Sequence, residues 1–244
     1  MPHPLLNPAS GRWIGFLQRL FPFQEARHPF DRAHCVDTGG LIYADGLSTG
    51  HEHDIHSSGY YATAPSLFRG AIELWSAALQ ASPSRLADYS FVDIGCGKGR
   101  VVLLASEYAF REVIGVELNP QLAAVARRNL RWWMRRKRAC RHVRIAHGDA
   151  LSFPLPDGPV VLFFFNSFEE EMVRMWLDRL VLAASSRRAP IDLVYMHPEH
   201  YKLFIETPGI QMLAQTDIPL SPEDAASDAF GVSFDRCTIY RLLN

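Results

Sequence analysis

The stretch FVDIGCGKGR, residues 91–100, decides the fold. Phe91 to Ile94 read as a short strand that runs straight into three alternating glycines, Gly95, Gly97 and Gly99, and a helical pattern follows over about 99–108. Glycine allows the backbone to turn sharply and to come close to a ligand, while a helix that follows offers amide hydrogens at its start. In an open parallel sheet, ligands bind beyond the carboxyl ends of the strands, which is where this loop lies.

Outward from the loop, strand and helix signals alternate. Strands are expected at EVIGVE (112–117), HVRIAH (142–147), VVLFFF (160–165) and IDLVYM (191–196), with helices near 99–108, 119–136 and 169–185 between them. Upstream, SLFRGAIELWSAAL (66–79) has the helical period, with Ser66 as its cap. The alternation predicts parallel strands joined by right-handed crossovers, with helices on both faces. IQMLAQTDI (210–218) and VSFDRCTIYRLL (232–243) are strand-like runs joined by a polar, proline-containing segment without a long helix, so an antiparallel pair closes the sheet. The expected fold is therefore α/β, a doubly wound, mostly parallel seven-strand sheet with an N-terminal extension.

The 244 residues and 48% hydrophobic content suit one such domain, placed at 61–244, preceded by an arm or lid over 1–60. A formal net charge of −1 and a pI near 6.8 provide no global attraction to nucleic acid or anionic membrane. Cys35, Cys96, Cys140 and Cys237 are scattered without the CxxC spacing of a zinc or redox site, and a reducing, cytoplasmic location is the simplest expectation. The first residues lack the pattern of a secretory signal, and no apolar run reaches the roughly 18 residues of a membrane span.

Details of the loop bear on its ligand. A dinucleotide fingerprint would need a sixth-position glycine where Arg100 stands, and Lys98 is followed by Gly99 rather than by the Ser or Thr of a phosphate-binding loop. Asp93 at the strand end would repel a pyrophosphate and attract the cationic amino group of a methionine moiety. The pattern favours S-adenosylmethionine, with another nucleotide or a purely structural turn as the open alternatives. Glu117, 22 residues beyond Gly95, ends the second strand where an acidic side chain accepts from ribose hydroxyls, and Leu118 follows it. Asp149 and Ala150 after the third strand are placed to meet the adenine, by side chain and backbone respectively.

Through FVDIGCGKGR, GVELNP and GDA, the chain from about residue 60 onward resembles the class I, seven-strand methyltransferases. That resemblance implies the fold, S-adenosylmethionine as cofactor with S-adenosylhomocysteine as product, and methyl transfer. A further similarity, carried by YYATAP (60–65), the glycine loop and FFFNSF (163–168), is to the non-SET seven-strand protein-lysine methyltransferases. It implies that Tyr60 and Thr63 enclose the methionine end beside Asp93, Gly95, Cys96, Gly97 and Gly99, and that Asn166 lines the acceptor site. Those enzymes tend to carry Pro or Asn after the asparagine; here Ser167 and Phe168 follow.

For an amine acceptor, a carbonyl of Asn166 would orient the nitrogen while the rings of Tyr60, Tyr61 and Phe168 stabilise the cation. Asn166 could instead cap the helix expected from Glu169. His197, right after the fifth strand, lies at the catalytic end of the sheet, where its near-neutral pKa suits a general base in contact with the acceptor. An O-methyltransferase for small molecules and a non-catalytic module are the competing functions. No metal is expected, although His51, His53 and His56 lie close in sequence; an acceptor-covering loop or an ordinary polar loop are the other readings of that segment. The apolar cluster Trp13 to Phe23 reads as a short helix packed on the core, a lid, or a membrane-surface contact. The run RWWMRRKR (131–138), with Arg141 and Arg144, reads as a solvated basic face, a site for an acidic protein, or a nucleic-acid contact.

Overall fold

The computed structural model describes residues 28–53, 59–79 and 85–243. In chain order these form α1 (Pro29–His34), β1 (Leu41–Ile42), β2 (Tyr60–Tyr61), α2 (Pro65–Ala78), β3 (Ser90–Ile94), α3 (Arg100–Ala105), β4 (Glu112–Glu117), α4 (Pro120–Trp133), β5 (Val143–His147), β6 (Val160–Phe165), α5 (Glu170–Ser185), β7 (Ile191–Met196), α6 (Tyr201–Glu206), β8 (Ile210–Pro219), α7 (Pro222–Ala226) and β9 (Phe234–Leu242).

Alternate side chains of a strand point to opposite faces, so a strand apolar at every position must be covered on both. β6 is such a strand, and β3, β4 and β7 are likewise buried at nearly every position although they carry Asp93, Glu117 and Asp192; the four occupy the middle of a seven-strand sheet of order β5-β4-β3-β6-β7-β9-β8. β3 to β7 are parallel, β9 runs antiparallel between β7 and β8, and the expected fold class is the one observed. Phe91, Val113, Phe163, Val194 and Ile239 face a core shared with α2, α3 and α4. Val92, Ile114, Leu162, Leu193 and Tyr240 face the core under α5 and α6.

Several local expectations change. Ser66 does not cap α2: Pro65 begins the helix after Ala64, and the Ser66 hydroxyl accepts from the Ser221 amide at 3.0 Å. Proline at a first helical position loses no hydrogen bond, so no polar cap is needed there. α3 is shorter than expected because the Ser106 hydroxyl bonds back to the Leu103 carbonyl at 2.6 Å and also accepts from the Trp133 indole at 2.9 Å. α4 stops at Trp133, where the run of like charges begins. The short α1, the β1–β2 pair and α6 had no sequence periodicity long enough to reveal them. The apolar cluster Trp13 to Phe23, and His56, lie outside the described residues.

Candidate functional site

At the end of β3 the chain turns through Gly95, Gly97 and Gly99, with φ of 72°, 53° and 89°. A β-carbon on Gly97 would lie 2.1 Å from the Tyr60 ring, so this glycine is required both by its backbone and by its neighbour. Tyr60 is held over it by a 2.6 Å bond from its hydroxyl to the Thr38 carbonyl, and burial raises its pKa. Thr63 is buried nearby, with its carbonyl 3.4 Å from the Arg100 guanidinium. Cys96 sends its side chain into the core near Gly115, and burial first, then the charges of Asp93 and Glu117, raise its pKa. Backbone is what Cys96 has to offer a ligand.

Two buried carboxylates meet around this turn. Asp93 is 4% exposed, and its Oδ2 has no hydrogen-bond partner. Burial, reinforced by the Glu117 charge, raises its pKa well above the ordinary carboxylate range. Asp192, equally buried at the other end of the sheet, shows what a satisfied carboxylate looks like: the Arg241 guanidinium donates to it at 2.7 and 3.0 Å and the Trp75 indole at 3.1 Å. A buried charge without a partner costs several kcal/mol, so the unpaired oxygen of Asp93 fits a cationic group brought by a ligand.

Glu117 is spoken for in part. Its Oε2 accepts from the Gly97 amide at 2.7 Å and its Oε1 from the Asn119 amide at 2.8 Å. Burial raises its pKa, opposed by these backbone bonds. A carboxylate has about four acceptor sites, so the two bonds leave room for hydroxyl donors.

Leu118, His147, Gly148 and Asp149 line a cleft of about 440 Å³ with Thr49 and His51. His53 reaches the Asp149 carboxylate at 3.4 Å, and the His51 and His53 rings lie 5.0 Å apart. The histidine segment therefore covers the Asp149 end of the sheet, away from Asn166. Among the described residues, no cluster of three or more metal-ligating side chains is found. Ala150, after Asp149, packs against the α5-side core.

At the ends of β6 and β7 the chain takes left-handed turns at two non-glycine residues, Asn166 (φ 36°) and His197 (φ 51°). Such conformations are uncommon for residues with a β-carbon and are kept only where surroundings enforce them. Here those surroundings are a chain of hydrogen bonds. Tyr195 donates its hydroxyl to Asn166 Oδ1 at 3.0 Å, and Asn166 Nδ2 donates to Glu199 Oε2 at 2.9 Å. His197 lies 3.5 Å from Glu199 Oε1 and 2.9 Å from Asp235 Oδ1.

Burial alone would lower the His197 pKa, but the hydrogen bonds and charges of Asp235 and Glu199 outweigh it and raise it to about 9. The near-neutral general base expected at His197 is thereby corrected: near pH 7 the ring is an imidazolium with no proton-accepting nitrogen. Nor does Asn166 cap α5, whose cap residue is Glu169 without a side-chain bond. The Phe168 ring packs on Phe164 and Trp176, and Tyr61 is tied to Asp228 at 2.8 Å.

The structure thus brings Asp93, Glu117, Asp149, Asn166 and His197 to one edge of the sheet. Sequence reasoning missed the groups that fasten the loop from behind. Arg100, 4% exposed, donates to Thr38 at 2.7 Å and lies 3.7 Å from Asp31. Asn129 of α4, also buried, donates to the Lys98 carbonyl at 3.0 Å and to the Asp37 carbonyl at 2.7 Å. The available signal was a lone polar residue on the otherwise apolar face of α4. Ser167, whose hydroxyl lies 3.3 Å from the Ile94 carbonyl, packs against Gly95.

Residues 91–183 match the family described as methyltransferase domain. Among solved structures, the chain is similar to the N-methyltransferase NodS from Bradyrhizobium japonicum WM9 in complex with S-adenosyl-L-homocysteine. The identity is 14% and the TM-score 0.49, over 74% of this chain and 89% of that one. A putative methylase from Haemophilus influenzae aligns at 13% identity and a TM-score of 0.48, over 73% and 99%. The YcgJ protein from Bacillus subtilis aligns at 17% and 0.42, over 71% and 99%. No curated protein matches the chain.

Proposed function

We propose that this chain transfers a methyl group from S-adenosylmethionine to an amine nitrogen, a reading supported by the match of residues 91–183 to the family described as methyltransferase domain. The observation that carries the donor half is Asp93: a desolvated carboxylate with one unpartnered oxygen, beside a glycine turn that leaves no space for a side chain. In this reading the methionine ammonium group neutralises Asp93. Tyr60 and Thr63 wall the methionine end, and the backbone from Gly95 through Cys96 and Gly97 to Gly99 lies alongside. Glu117 holds the ribose through its remaining lone pairs, next to Leu118. Asp149 and Ala150 take the adenine at the cleft.

When bound, the sulfonium of the donor supplies an already electrophilic methyl carbon. What is left to the chain is alignment and exclusion of water. Asn166 directs the acceptor nitrogen. Its side-chain amide is engaged by Tyr195 and Glu199, and its backbone carbonyl accepts an amine hydrogen in this scheme. The carboxylates of Glu199 and Asp235 outnumber the one imidazolium of His197, so this end carries net negative charge that favours approach of an amine as its ammonium ion over a neutral hydroxyl. The ammonium releases a proton to solvent, and the neutral nitrogen then forms the bond to the methyl carbon as the carbon–sulfur bond breaks. The acceptor is a protein side chain or a small molecule. His197 acts as a positioning residue in this scheme, and residues 1–60 as the arm or lid over the site.

The test of the donor half is calorimetric titration of the full chain with S-adenosylmethionine and S-adenosylhomocysteine, beside Asp93→Ala and Glu117→Ala. Binding by the parent chain, weakened in both variants, supports the reading; a folded parent that binds neither ligand overturns it and leaves a non-catalytic module. The acceptor half is tested with labelled methyl donor against paired amine and hydroxyl acceptors. Label confined to hydroxyl oxygens would establish the O-methyltransferase alternative instead.

A further inference from the structure

Between Glu117 and Asp149 the chain carries nine Lys or Arg residues and no Asp or Glu. Since the whole chain has a formal net charge of −1, everything outside this segment carries −10. The segment folds as α4, the turn after it and β5, which is the terminal strand of the sheet, so the positive charge is gathered on one edge of the molecule.

Elsewhere several cations are matched by carboxylates, and Arg179 and Arg187 are taken up by backbone carbonyls. Arg100 pairs with Asp31, Arg174 with Glu170, Arg236 with Asp217, and Arg241 with Asp192. Along the α4–β5 edge, Arg138 pairs with Glu107 and Arg128 with Asp37. Arg131, Arg135, Arg136, Lys137, Arg141 and Arg144 are exposed, and among the described residues none has a carboxylate within ion-pairing distance. In their midst Trp132 is 44% exposed, tethered by its indole nitrogen to the His34 carbonyl at 3.0 Å, with the Arg135 guanidinium 4.5 Å from its ring centre.

We propose that this edge is a docking surface for single-stranded nucleic acid, with the arginines on phosphates and Trp132 as a stacking platform for a base. Eight of the nine cations are arginines, whose planar fork suits phosphate oxygens better than a lysine point charge does. An exposed aromatic ring held among them is the feature that phosphate attraction alone would not require. A lipid surface is the weaker fit, because membrane-surface helices need an apolar face free to insert. The apolar face of α4, with Leu122, Ala126, Leu130 and Trp133, is spent on the core. The surface sits beyond the far end of α4 from the cleft at Pro120, roughly 20 Å along the helix. It would therefore anchor a partner at a distance from the methyl-transfer site, and the inference stands independently of which atom is methylated.

The experiment is fluorescence anisotropy of the full chain with a fluorescein-labelled 20-nucleotide single-stranded RNA and the DNA of the same sequence. Binding that weakens about 100-fold between 50 and 200 mM salt is expected for roughly five phosphate contacts on a single strand. Arg131→Ala/Arg135→Ala/Arg136→Ala should cost tenfold or more and flatten the salt dependence, and Trp132→Ala about tenfold with the salt dependence kept. Arg174→Ala should change nothing, and matched melting temperatures will show that each variant is folded. The proposal fails if the triple variant binds as the parent does. It fails equally if poly-glutamate or phosphatidylglycerol vesicles are bound more tightly than the oligonucleotides at the same salt.

Discussion

The ends of β3, β4 and β5 and the ends of β6 and β7 are two halves of one sheet edge, and they treat buried charge in opposite ways. In the first half, Asp93 is buried beside Glu117 with one oxygen unpartnered, and its pKa is driven upward. In the second, Asn166, His197, Glu199, Tyr195 and Asp235 satisfy one another in a continuous network, which holds Glu199 below and His197 above their ordinary values. The donor half is built with a deficit that a ligand can fill. The second half, which takes the acceptor in the proposed reading, is closed on itself, so a ligand there must be recognised by net charge and shape, and its identity is correspondingly harder to read.

The sharpest way to break this contrast is Gly97→Ala, whose methyl would strike the Tyr60 ring and whose φ of 53° disfavours a β-carbon. Affinity for S-adenosylhomocysteine should fall by about 100-fold or more, from a strained turn of roughly 1–3 kcal/mol plus the displaced ring. Adding Tyr60→Ala should restore part of that loss. A single variant that binds normally would show that the loop is more plastic than its geometry implies.

Asp93→Asn comes next. Loss of a charge-assisted contact should weaken S-adenosylmethionine by about 30-fold, while the ligand-free protein becomes more heat-stable. The sign follows from the raised pKa: ionising Asp93 costs stability once the pH exceeds the unfolded carboxyl value, so the variant's advantage should appear at neutral pH and vanish in acid. Melting curves between about pH 4 and pH 8 will decide, and a variant less stable at pH 7 would contradict the deficit.

On the acceptor side, Asn166→Ala should reduce methyl transfer about tenfold, through loss of the Tyr195–Glu199 link and release of the left-handed turn, and leave S-adenosylhomocysteine affinity within about twofold. Unchanged turnover would show that the Asn166 side chain and its link between Tyr195 and Glu199 do not position the acceptor.

The smallest effect is expected from His197→Asn, a loss of about 1–2 kcal/mol in urea unfolding, moderated by partial solvent access. Because the folded pKa is raised to about 9, the stabilisation is fully present below the unfolded value near 6.5 and disappears as pH rises through 9. A difference between parent and variant that is the same at pH 6 and pH 10 would mean that the imidazolium contributes nothing through its charge.

How much of this was legible beforehand follows the same division. Asp93, the three glycines, Glu117 and Asp149 could be named from spacing, because a strand, a tight turn and a helix are local events and their residues lie within a few positions of one another. The part played by His197 could not. Its charge depends on Asp235, 38 positions later and brought beside it by the antiparallel pairing of β7 with β9. Asn129 and Arg100 were likewise invisible as supports of the loop, since their partners Asp37 and Thr38 come from a segment with no periodic signal.

By itself, then, the sequence determined the doubly wound sheet, the position of the glycine turn and the kind of ligand its carboxylates would suit, all of which follow from short-range pattern and residue chemistry. Only the tertiary structure decided which of the buried charges are neutralised. Pairing energies depend on distance and on exclusion of water, and neither exists until remote strands and loops have packed together.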